Sequence, residues 1–145
     1  MGDRMSPSTL SKFVYWAGVY NLFLAAGMAV PAVTRSLGIN IADPVLGQVI
    51  AGFLLFTAVI QMLGARDLKT YGWLIFWEGI LRWIAATLLI LYGFFGHLGV
   101  MAGVLGLGDF LIGLVFLFVL PKVISKRVSS RADRPRPRSD FLLTH

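Results

Sequence analysis

Cysteine is absent from this 145-residue chain. Disulfides, thiolate nucleophiles, Cys-ligated zinc and iron–sulfur clusters are excluded together. Histidine is nearly absent: His97 falls in a short turn between apolar runs and His145 is the last residue, so neither has the within-span position of a haem ligand or a metal pair. No metal site is expected and no cofactor follows from the residues. Acidic residues are scarce, seven against thirteen Lys and Arg, and charged residues make up only 14% of the chain, where soluble domains carry roughly 25%. Apolar runs hold no serine, and no histidine stands beside their acids. Without a nucleophile or a base, no catalytic residue and no catalytic mechanism can be named.

What the chain has instead is apolar length. Hydrophobic residues make up 57% of it, and its mean hydropathy is positive. A bilayer core of about 30 Å takes roughly 20 apolar helical residues to cross, and four runs reach that length, at 13–33, 45–63, 73–95 and 98–119. The short connections GARDLKTYG and GHLG force the helices they join to run as antiparallel neighbours. The expected fold is therefore all-α, a polytopic membrane protein built as an antiparallel four-transmembrane-helix bundle. Residues 1–12 form an N-terminal segment, 13–121 the membrane domain, and 122–145 a basic tail. Pro31 lies near the outer end of the first run, where a lost backbone bond costs least.

The net charge of +6 is placed unevenly. Lys122, Lys126, Arg127, Arg131, Arg134, Arg136 and Arg138 crowd the tail, while Arg66 and Lys69 fill the second connection and Arg4 and Lys12 precede the first span. In a four-span chain all of these fall on one side, and the positive-inside rule makes that side cytoplasmic, with both termini. Each basic residue near an anionic leaflet contributes about 1 kcal/mol, so the tail is expected to contact anionic lipid and not nucleic acid. The opening MGDRMS fits a myristoylation pattern that a four-span chain does not need. Val30 and Ala32 have the spacing of a signal cleavage site, but the apolar stretch exceeds the 7–15 residues usual there. Span one is expected to be retained.

Inside this apolar chain, WEGILRW places Glu78 and Arg82 four residues apart. Counting helical rise from the cytoplasmic span ends puts Glu78 about 8 Å deep, Arg82 about 14 Å, Asp109 about 16 Å and Asn21 about 12 Å. Ala17, Gly18 and Ala25 flank Asn21 at helical spacing, and Ala102, Gly106 and Gly113 flank Asp109. Small residues mark the faces on which membrane helices pack, so the polar groups are expected to point inward. Insertion costs about 2.5 to 3.5 kcal/mol for a central charge. Glu78, Arg82 and Asp109 are accordingly expected to form a triad around the guanidinium, with Asn21 as a further tie. Its formal charge is minus one, to be balanced by a cation or a proton. Gln48 and Trp83 are expected as secondary polar contacts.

The four spans, Tyr20-Asn21-Leu22, Gly47 and Gly52, Ala65-Arg66-Asp67, Glu78-Gly79 with Arg82, and Gly108-Asp109 together resemble small bacterial DoxX-like membrane proteins across about residues 13–120. That resemblance implies a bacterial inner-membrane location. It also brings in quinone as a cofactor to consider, since the family's name comes from a subunit associated with quinone-linked oxidation. Two functions stay open. One is a non-catalytic accessory or complex-forming subunit, with a membrane-complex partner or a second copy, whose polar cluster holds its helices together. The other is a small transporter or a quinone- or lipid-binding protein that uses the same cluster as its polar pocket.

Overall fold

The computed structural model describes residues 6–122. Lys126, Arg127, Arg131, Arg134, Arg136 and Arg138 of the basic tail, together with Arg4, lie outside the described residues. Five helices follow one another: α1 (Pro7–Ala29), α2 (Pro31–Ser36), α3 (Pro44–Arg66), α4 (Leu68–Phe94) and α5 (Val100–Phe118). No strand occurs among the described residues.

The helix ends follow local chemistry. Ser6 caps α1 by accepting from the Thr9 amide at 3.2 Å, with Pro7 at the first helical position. Asp43 caps α3 through the Val45 amide at 2.8 Å, ahead of Pro44. In both cases the cap side chain accepts from an otherwise unpaired first-turn amide, and proline gives up an amide the helix does not use. Asp67 alone separates α3 from α4 and caps the latter, accepting from the Lys69 and Thr70 amides and from the Thr70 hydroxyl.

Span one ends earlier than the sequence implies. Val30 is extended, at φ −109° and ψ 104°, and Pro31 opens the separate six-residue α2. The residue before a proline is pushed out of the α region, so the helix stops at Ala29 instead of running through to residue 33. The following loop carries Gly38 at φ +69°, and Asn40 ties it to the α4–α5 turn. Its amide donates to the Leu98 carbonyl at 3.0 Å and its side chain to the His97 carbonyl at 3.2 Å.

Three helical segments are long and apolar enough to cross a membrane: Pro44–Arg66, Leu68–Phe94 and Val100–Lys122. α1 matches them in length but carries Lys12, Tyr15, Tyr20 and Asn21, which dilute its apolar content. The helices pack as two intimate antiparallel pairs, α1 with α3 and α4 with α5. Small residues make each pair close. A Cβ on Gly18 would lie 3.0 Å from the Ala58 carbonyl oxygen, and one on Gly106 would lie 3.0 Å from that of Ala86. Larger side chains join the pairs, with Leu10, Val14, Ile75, Phe116 and Leu120 fully buried at the Arg66/Lys69 end.

Candidate functional site

Glu78 and Arg82 occupy successive turns of α4, and Asp109 faces them from α5. Side chains at i and i+4 lie on one helical face. Arg82 Nε donates to Glu78 Oε1 at 2.6 Å, while Arg82 Nη1 donates to Asp109 Oδ1. One guanidinium thus bridges two carboxylates from two helices. All three residues are buried, with Arg82 only 5% exposed. The approach depends on glycine: a Cβ on Gly79 would meet that of Phe116 at 2.8 Å, and Gly113 faces the Gly79 carbonyl.

Asn21 joins a second network, on the other helix pair. Its Nδ2 donates to Thr57 Oγ1 at 3.2 Å and to Gln61 Oε1 at 3.3 Å, and all three residues are buried. Thr57 in turn donates to the Leu54 carbonyl. The half-buried Tyr20 approaches α5 beside Asp109: a Cβ on Gly108 would stand 3.7 Å from its hydroxyl.

The buried polar centre thus draws side chains from all four long helices, as two networks that no hydrogen bond joins among the described residues. It contains two carboxylates and one guanidinium, so its formal charge is minus one. Four buried atoms within it make no hydrogen bond: Asn21 Oδ1, Gln61 Nε2, Glu78 Oε2 and Arg82 Nη2. Two of these are donors and two are acceptors. Unpaired buried groups of this kind each cost about 1–3 kcal/mol.

Two expected contacts are not made. Gln48 is exposed on α3 and takes no part in the centre. It lies thirteen residues before Gln61, and at about 100° per residue the two point to nearly opposite faces; Gly47 and Ala51 carry the buried stripe at that level. Trp83 is 42% exposed and stacks on Phe110, with ring centroids 5.3 Å apart. Its ring lies one position round the helix from Arg82 and faces outward. Lys122 is exposed at the end of the described residues.

Thr57, Gln61 and Tyr20 are the residues that the sequence reading did not place in the centre. Their signal was available: Thr57 and Gln61 are one turn apart on a face shared with Ala58, Gly64 and Ala65. Among the described residues no three His, Asp or Glu side chains gather as a metal-ion cage. Two cavities are lined by none of the residues of the polar centre. One lies between α1 and the end of α3, the other beside α2 and the start of α3. In comparisons with known proteins, no family model, curated protein or solved structure matches the chain.

Proposed function

We propose that this chain is a small multi-pass membrane protein whose α1, α3, α4 and α5 cross the bilayer as an antiparallel four-helix bundle, and that it serves as a non-catalytic accessory or complex-forming subunit. Both termini then lie on the cytoplasmic face of a bacterial inner membrane, where the basic tail contacts anionic lipid. The polar centre is the clasp that fixes which helices pair and in what register.

The observation that carries this reading is the double engagement of Arg82. Both carboxylates are held by one buried guanidinium, which ties α4 to α5. An arginine that bridges two helices holds charge inside the fold at the least desolvation cost, because each ion shields another. The resemblance to DoxX-like proteins supports a role within a larger membrane assembly. Extraction in a mild detergent, followed by mass measurement and identification of co-purifying proteins, tests it. The chain is expected to elute with a membrane partner or as a homo-oligomer. Elution as a lone monomer, with no partner under any mild condition, contradicts the subunit role.

A second reading draws on the four unpartnered atoms of the centre. A small transporter or a quinone- or lipid-binding protein would use their mixed donors and acceptors to hold a polar group. Glu78→Gln separates the two. It keeps the shape and one hydrogen-bonding oxygen of the clasp, so assembly persists under the first reading, while transport or quinone binding is lost under the second.

A further inference from the structure

At the end of the molecule that carries Arg66, the surfaces of α1 and α3 part to leave an open cleft of about 290 Å³. Its lining is Ser11, Lys12, Tyr15 and Trp16 from α1 with Ala65 and Arg66 from α3. The Ser11 hydroxyl donates to the Ala65 carbonyl and pins the two helices together at the cleft. Lys12 and Arg66 are both exposed, so two cations from two helices stand around one opening. No acid lines it. The nearest carboxylate in sequence, Asp67, is held at the start of α4 by the Lys69 and Thr70 amides and the Thr70 hydroxyl.

Beside the cations stand two exposed aromatic rings. Trp16 is 66% exposed and Tyr15 41%, and the rings meet edge to face at 6.1 Å. Rings with a polar edge favour the headgroup level of a bilayer. Arg66 ends a helix long and apolar enough to cross a membrane, which puts the cleft at the surface of the apolar slab. Exposed Val59 and Leu63 continue along the same helix toward its middle.

From this juxtaposition we infer that the Lys12/Arg66 cleft is a binding site for the phosphate of an anionic phospholipid headgroup. The two cations take the phosphate oxygens, Arg66 through its planar fork and Lys12 as a point charge. The Tyr15 and Trp16 rings lie beside the glycerol and the first acyl carbons. A free phosphate ion satisfies the cations but gives the rings nothing to cover, and so lipid is the occupant. The site rests on the membrane placement proposed above, and it is separate from the basic tail.

The test uses the full chain in neutral-detergent micelles doped with phosphatidylglycerol, with retained lipid counted by native mass spectrometry. Wild type is expected to retain phosphatidylglycerol over phosphatidylcholine, and Lys12→Gln with Arg66→Gln to weaken that retention at least tenfold. Lys69→Gln removes a cation from the same end, outside both the cleft and the basic tail, and is expected to leave retention unchanged. Helicity by circular dichroism confirms that both variants fold, as substitution at exposed positions allows. A loss in Lys69→Gln that is equal for each charge removed assigns the effect to diffuse surface charge and overturns the site. Displacement of the lipid by millimolar inorganic phosphate overturns the lipid assignment. Carbonate-washed membranes from the same cells report separately on membrane insertion: a chain that stays in the membrane without retaining phosphatidylglycerol sinks the site alone, and one that washes off sinks the placement.

Discussion

Arg82 of α4 is bound at once to Glu78 on its own helix and to Asp109 on α5, twenty-seven residues along the chain. Removing the cation strands two buried carboxylates. Arg82→Leu is therefore expected to destabilise the protein by about 3–5 kcal/mol, the cost of breaking a buried pair from one side. Asn21→Leu breaks neutral hydrogen bonds between α1 and α3, worth about 0.6 kcal/mol on average in membrane proteins, and should be several-fold milder. Denaturant unfolding in detergent, followed by circular dichroism, ranks the two. Equal effects would show that the charges are not the stronger tie.

Glycine positions separate close packing from open surface. A Cβ at Gly106 would sit 2.9 Å from Leu89 Cβ and 3.0 Å from a backbone oxygen, whereas Gly52 has nothing within 4 Å. Gly106→Val should cost about 1–3 kcal/mol by overpacking α4 against α5. Gly52→Ala should stabilise by about 0.4–1 kcal/mol by limiting the unfolded chain. Thermal unfolding of the two variants in one detergent checks both signs.

Much of this arrangement is legible in the sequence, for definable reasons. Hydropathy and length place α3, α4 and α5 because an apolar helical run leaves few alternatives. The i, i+4 spacing pairs Glu78 with Arg82, and depth with small-residue faces brings Asp109 to them. The same rule applied along the whole of α3 would select Gln61 and reject Gln48, since only Gln61 shares the face of Thr57, Ala58 and Ala65. The break at Val30 is harder to read. Proline is tolerated near the end of a span, and whether the chain kinks or restarts depends on what the loop beyond it can bind, here the turn at His97 and Leu98.

Asp67 links helix capping to pH. Its hydrogen bonds from Thr70, side chain first and then backbone, hold its carboxyl below the ordinary 3.8. A lowered folded-state value means the contribution is complete above the unfolded value and disappears as pH falls through the folded one. Asp67→Ala should thus destabilise the start of α4 most at neutral pH and less in strong acid, where wild type keeps only a neutral cap. Asp67→Asn, which keeps the cap, should lose this acid sensitivity. Unfolding midpoints of the three proteins across acid pH provide the check, and a penalty for Asp67→Ala that is constant with pH counts against the ionised cap.

The absence of cysteine makes topology directly measurable, since every introduced thiol is unique. With four crossings, Arg35→Cys and His97→Cys should react with a membrane-impermeant maleimide from outside intact cells, and Ser8→Cys, Lys69→Cys and Lys122→Cys only after permeabilisation. Labelling of Ser8→Cys from outside would show that α1 does not cross and that three helices span the bilayer.

The central claim is that the polar centre clasps helices through the Arg82–Asp109 pair, and exchanging the two residues tests it. In the double variant Arg82→Asp with Asp109→Arg, the centre still holds two acids and one guanidinium, opposed across α4 and α5, and its formal charge is unchanged. The decisive measurement is the unfolding free energy of wild type, both single variants and the double in one detergent. The clasp predicts that each single variant loses about 3–5 kcal/mol and that the double recovers most of it, giving a large favourable coupling between the sites. A double variant as unstable as the two losses added together would show that the residues do not hold one another, and would contradict the clasp.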